Sequence, residues 1–106
     1  MARIIWTKPA LSDLSEIAEY IALDKVSAAE KLVKKVFLVV ERLEQFPESG
    51  RRPPELTHTE YRELIVGPCR IFYRTANDRV YIVYVMRGER ELRKFIIDER
   101  AKGKGH

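Results

Sequence analysis

The sequence predicts an α+β fold in which an N-terminal helical hairpin packs on a small antiparallel sheet. Two observations carry this. Apolar residues recur at helical spacing from Ala10 to Phe46, and three β-rich runs crowd between Tyr61 and Lys94 with only the breaks Gly67-Pro68 and Asn77-Asp78 between them. Runs rich in Val, Ile, Tyr and Phe and bounded by such turn residues form an antiparallel meander. At 106 residues the chain reads as a single domain over residues 1–106, large enough to bury a core without disulfide or metal staples.

Arg3 to Trp6 is a short apolar run that suits an opening strand. Thr7 can cap the helix that follows, with Pro9 tolerated in its first turn. Ala10, Leu14, Ile17, Ala18 and Ile21 fall on one side of that helix, and Asp13, Glu16 and Glu19 on the other, which is amphipathic spacing. The helix stops around Leu23-Asp24-Lys25. Ser27 and Glu30 read as a capping box for a second helix. Leu32, Val36, Val39, Leu43 and Phe46 continue an apolar stripe there, widened by Val33, Phe37 and Val40. Pro47 ends it near Phe46, giving a helix about 28 Å long. Glu48 to Thr59, rich in Pro and Gly, crosses to the meander. Ile96 onward turns polar and closes on K-G-K-G-H, so residues 97–106 read as a frayed tail.

The net charge is +4, and the segment from Arg87 to His106 holds seven basic against four acidic residues, which is +3 of that total. A basic balance permits a nucleic-acid or acidic-protein partner. The single cysteine, Cys69, excludes an internal disulfide and a cysteine-rich metal site, and reads as a structural thiol in a cytosolic protein. No apolar run approaches the ~20 residues of a membrane span. His58 and His106 have no ligand at metal spacing, and no phosphate-binding glycine loop is present, so neither metal nor cofactor is expected.

The arginines are the remaining candidates: Arg62, Arg70, Arg74, Arg87, Arg90 and Arg93, with Lys94 beside them. One reading is a solvated sheet face with a few carboxylate pairs, such as Arg62 with Glu63 or Glu60. The other is a cluster. Arg70 and Arg74 share strand parity with Phe72 between them. Arginine alternating with aromatic residues suits phosphate contact with stacking, and the guanidinium fork suits a carboxylate-rich protein equally. RNA cleavage would also need a base and an acid. Tyr61, Tyr73, Tyr81 and Tyr84 are available, and their strand positions suit packing better than catalysis.

The ordered set of motifs resembles the RelE/ParE family of type II toxin–antitoxin toxins, closest to the ParE branch. It comprises W-T-x-x-A-x-x-D-L-x-x-I-x-x-Y-I from Trp6 to Ile21, F-P-x-x-G-R from Phe46 to Arg51, R-E-L from Arg62 to Leu64, R-I-F-Y-R from Arg70 to Arg74, and a closing V-Y-I-V-Y-V strand before an arginine-rich turn. The resemblance covers residues 3–95. It implies a helical hairpin on a small, curved antiparallel sheet, and a cognate antitoxin that wraps and neutralises the toxin, with operator DNA reached only through that antitoxin.

ParE-like members poison DNA gyrase, and RelE-like members cut messenger RNA in the ribosome. Many ParE-like members carry histidine soon after the last core strand, where this chain has Met86-Arg87. RelE-like nucleases often carry a tyrosine after the C-terminal basic cluster, where this chain has Lys94-Phe95. The expectation is therefore a gyrase inhibitor that acts by binding, with Arg62, Arg70, Arg74, Arg87, Arg90, Arg93 and Lys94 as its contact residues. The alternatives are a ribosome-dependent endoribonuclease using Arg70, Arg74, Arg87 and Arg90 on phosphate, and a non-toxic member retained for antitoxin or operator binding.

Overall fold

The computed structural model describes residues 1–88, 92 and 94–102. Strand β1 (Arg3–Trp6) leads into helices α1 (Lys8–Ala22) and α2 (Val26–Glu41). Two short 3-10 turns follow, Arg42–Glu44 and Pro54–Leu56. Strands β2 (Arg62–Val66), β3 (Cys69–Ala76) and β4 (Arg79–Arg87) come next, and then helix α3 (Lys94–Lys102). The four strands form one sheet in the order β1-β4-β3-β2. The meander β2-β3-β4 is antiparallel as expected, and β1 adds a parallel neighbour on β4. No described helix is long and apolar enough to cross a membrane.

Thr7 caps α1 as its position suggests. Its Oγ1 accepts the Ala10 N–H at 3.3 Å and donates to the Ile82 carbonyl at 2.7 Å, tying the helix start to β4. The capping box expected at Ser27 does not form. The helix starts two residues earlier, at Val26, and its N-cap is Lys25, which makes no side-chain cap bond. Leu14, Ile17, Leu32, Val36 and Leu43 are buried, with Ile21 and Val39 packed at the margin. Phe46 leaves the stripe and is 62% exposed, because α2 gives way to a 3-10 turn after Glu41 and rotates it outward.

Tight turns set the meander. Asn77 and Asp78 both take positive φ, 51° and 63°, the geometry of a type I′ hairpin turn that suits these two residue types. Gly67 opens the β2–β3 turn at φ 56°, where a Cβ would be strained. Between Phe72 and Tyr73 the pairing slips. Phe72 faces Tyr84, while Tyr73 faces Ile82, leaving Val83 as an extra residue on β4. This β-bulge inverts the alternation of β4. Val80 and Ile82 point to the hairpin side before it, and Val85 after it.

The sheet is therefore buried on both faces. The hairpin covers one, over Ile71, Tyr73, Ile82 and Val85. Leu56, Tyr61 and α3 cover the other, over Phe72, Val83 and Met86. The tail expected to be frayed over residues 97–106 instead continues α3 as far as Lys102, held by Ile97, which is fully buried in this second layer. Residues 103–106 lie outside the described residues.

Candidate functional site

Arg70, Phe72 and Arg74 stand together on the face opposite the hairpin, as their parity requires. The Arg70 guanidinium lies 5.0 Å from the Phe72 ring centroid, and that of Arg74 lies 4.6 Å from Tyr81. Phe72 stacks on Tyr84 with centroids 5.8 Å apart. Arg100 of α3 covers the Tyr84 ring at 4.9 Å. The face is a ladder of arginines on aromatic rings, in which each guanidinium meets the electron-rich side of a ring.

Arg70 is not available to a ligand. Its Nε donates to Glu63 Oε2 at 2.9 Å, and Nη1 and Nη2 donate to the two carboxylate oxygens of Glu55 at 2.8 Å each. Nη2 also lies 2.7 Å from Glu63 Oε2. Glu63 is buried and holds a second arginine as well, with Arg51 Nε and Nη2 both 2.6 Å from Oε1. Arg51 also pairs backbone to backbone with Glu63, as a one-residue extension of the sheet. The chain Arg51–Glu63–Arg70–Glu55 thus straps the crossing segment onto β2 and β3. Hydrogen bonds from Arg70 hold the Glu55 carboxyl well down, to about 2, against a smaller opposing effect of burial. The same partners push the Arg70 guanidinium further up.

The F-P-x-x-G-R motif has a physical reason in this strap. The Gly50 N–H donates to the Tyr73 hydroxyl at 2.8 Å. A Cβ on Gly50 would sit 2.5 Å from that oxygen, so only glycine admits so close an approach.

Arg74 is held less completely. It lies 4.0 Å from the exposed carboxylate of Glu60, and its buried Nε has no hydrogen-bond partner among the described residues. Arg87 does not join this face. The bulge turns it to the hairpin side, where it lies 4.6 Å over the Tyr20 ring of α1. Arg62 is on the hairpin side as well, donating to the Gly50 carbonyl at 2.9 Å, with Glu48 at 3.9 Å rather than the Glu63 or Glu60 expected. Arg90, Arg93 and the side chain of Lys94 lie outside the described residues.

The groups that could move protons are poorly placed for it. Tyr73 is fully buried, and burial pushes its phenol up. Burial, then the charge of Glu60, does the same to Tyr61. Cys69 is fully buried in the hairpin layer. His58 is exposed in the crossing segment, as expected.

Sequence reasoning missed Glu55, Glu63 and the pair Asp13–Arg100. A signal existed for Asp13. It is the acidic position of W-T-x-x-A-x-x-D-L, and its carboxylate accepts the Val85 N–H at 3.0 Å and binds Arg100. No local pattern marks Glu55.

Residues 4–92 match the family model described as the ParE toxin of the type II toxin–antitoxin system parDE. Toxin RelE2 of Caulobacter vibrioides is 33% identical over 91 residues, covering 85% of this chain and 99% of its own length. Putative toxin Y4kP of Sinorhizobium fredii is 38% identical over 91 residues, covering 84% and 91%. A chain in a structure of the chromosomal ParDE toxin–antitoxin system from P. aeruginosa has the same fold. Its TM-score is 0.71 at 27% identity, over 84% of this chain and 98% of that one. The motifs, the hairpin-on-sheet architecture and these relatives agree, and the chain belongs to the ParE toxin family of type II toxin–antitoxin systems, within the RelE/ParE group.

Proposed function

We propose that this toxin inhibits DNA gyrase in the cytosol by binding it, without covalent chemistry of its own, and that a cognate antitoxin neutralises it. The observation that carries this reading is the state of Arg70. A nuclease would aim that arginine at the scissile phosphate, yet its donors are taken by Glu55 and Glu63. Releasing it would leave buried Glu63 short of a partner, which is costly. The nearby phenols of Tyr61 and Tyr73 are buried and pushed up, away from the neutral range a general base needs. A binding inhibitor requires neither group.

The antitoxin reading follows from the family, and from the toxin–antitoxin system named for the P. aeruginosa structure. Supercoiling by purified gyrase, run beside ribosomes programmed with messenger RNA, tests the target. Loss of supercoiling with intact message is the expected result. Site-specific cutting of the message with gyrase unaffected would overturn the proposal.

A further inference from the structure

We propose that the outer face of α2 is a docking surface for the phosphate backbone of duplex DNA. Lys31, Lys34 and Lys35 are exposed there, and Arg42, the first residue of the 3-10 turn that follows, is exposed just beyond its end. At ~100° per residue they fall within about 100° of arc, opposite the buried stripe of Leu32, Val36 and Val40. Lys31 and Lys35 are one turn apart, a like-charge spacing that weakens a helix unless something anionic lies against it. None of the four forms an ion pair among the described residues, although Glu30 and Glu41 border the stripe. From Lys31 to Arg42 the stripe runs about 16 Å, long enough to meet several successive phosphates of a duplex.

The composition of the stripe selects the occupant. Three of its four cations are lysines, hydrated point charges that can neutralise a phosphate backbone without the directed fork that an arginine offers a carboxylate. Of the aromatic side chains beside it, Phe37 packs on Trp6 with centroids 4.9 Å apart and Phe46 lies beyond Arg42 at one end, so no ring stands within the stripe for a single strand to stack on. The residue at its centre is Leu38, 63% exposed, which carries no hydrogen-bonding group to read a base edge. The contact would thus be sequence-independent, unlike operator recognition. On the same hairpin α1 exposes Glu16 and Glu19, which repel a polyanion and confine it to the α2 side. The choice of DNA over RNA rests on the gyrase reading, because gyrase presents duplex DNA beside its own surface.

The test is fluorescence anisotropy of a labelled duplex against the purified full chain, with salt varied and no gyrase present. Expected is weak binding that falls steeply with salt. The variant Lys31→Gln/Lys34→Gln/Lys35→Gln should bind at least ~10-fold more weakly at low salt. Its log–log salt slope should be shallower by about 2 to 3, at ~0.9 for each phosphate no longer neutralised. A control, Arg3→Gln/Lys8→Gln/Arg79→Gln, removes the same charge from other exposed positions and should weaken binding much less. Equal weakening in both variants, no salt-dependent binding, or tighter binding to duplex RNA or single strands would overturn the proposal. Gyrase inhibition is read separately. DNA binding through α2 with gyrase unaffected would support the surface and refute the target.

Discussion

Arg100 of α3 grips Asp13 of α1 across the bulge of β4, with Nη1–Oδ2 at 2.7 Å and Nη2–Oδ1 at 3.1 Å. The same Asp13 oxygen, Oδ2, accepts the Val85 N–H, and Arg100 Nη1 also donates to the Val83 carbonyl. β1 pairs with β4 only as far as Ile82, so these backbone groups lie beyond its end, and the ion pair supplies their partners. One pair therefore holds α1, β4 and α3 together.

Asp13→Ala should release that junction. It leaves the Val85 N–H and the Arg100 guanidinium without their acceptor, at a cost of about 2 kcal/mol for a charged hydrogen-bond network. Chemical denaturation measures the loss. Amide exchange locates it, and the amides from Ile97 to Arg100 should lose more protection than those of α2. Uniform loss over the whole chain would show that α3 is not held by this pair.

Glu63 has the larger structural role. Its side chain is fully buried between Arg51 and Arg70. Glu63→Ala would leave Arg70, itself mostly buried, with only the partly exposed Glu55. Breaking a buried pair in this way costs about 3–5 kcal/mol. Glu63→Gln retains the shape and one acceptor, and should cost less. A thermal melt of the two variants beside the parent checks the order.

Glu55 gives this strap a pH dependence. Its carboxyl is held down from 4.5 to about 2 in the fold, mainly by Arg70. The unfolded chain therefore binds the proton more tightly than the folded one below the unfolded value, and folding weakens as acid is added. The contribution is fully present above pH ~4.5, falls as pH drops from there towards 2, and is absent below. Melting temperatures between pH 7 and 2.5 should show this fall, and Glu55→Gln should flatten part of it. An unchanged acid limb in Glu55→Gln would mean that Arg70 does not hold this carboxylate in solution.

Leu43→Ala should cost about 2–5 kcal/mol, the range for a buried leucine. Leu43 has no exposed surface, whereas Leu32 retains 8% and borders Gly67 at the β2–β3 turn. Leu32→Ala should fall at the lower end of the range. A cost under about 0.5 kcal/mol at both positions, measured by denaturant unfolding, would contradict the assigned core.

What the sequence revealed depended on whether the determinant was local. Helical periodicity from Ala10 to Leu43 was legible because each residue faces its neighbours one turn away. The Asn77-Asp78 turn was legible because its residue types suit positive φ. The bulge at Val83 was not, since an extra residue in a run of V-Y-I-V-Y-V looks like any other strand residue. Its effect, turning Arg87 to the hairpin side, was hidden with it. Lys94 to Lys102 reads as polar because, among the described residues of α3, Ile97 alone is buried against the sheet. The Arg70 site was misjudged for a further reason: parity placed it correctly beside Phe72 and Arg74, but its partners Glu55 and Glu63 arrive from 15 and 7 residues away.

The arginine substitutions divide a binding toxin from a nuclease. Each arginine has a different environment, so a single phenotype for all is not expected. Arg70→Ala removes the partner of two carboxylates and should act through stability, with a lowered melting temperature. Arg74→Ala removes a partly exposed cation that Glu60 meets only at 4.0 Å, leaving the fold nearly intact. In a binding toxin, Arg74→Ala and Arg87→Ala should each weaken gyrase inhibition by about 1–3 kcal/mol of binding at most, as interface contacts do. In a nuclease, loss of a cation that stabilises the transition state would lower cleavage by ~100-fold or more per site. Titrating each variant against gyrase supercoiling, with melting temperature measured on the same preparation, separates the two effects. A folded Arg74→Ala protein whose message-cutting activity had fallen ~100-fold would establish chemistry on this face and end the binding reading.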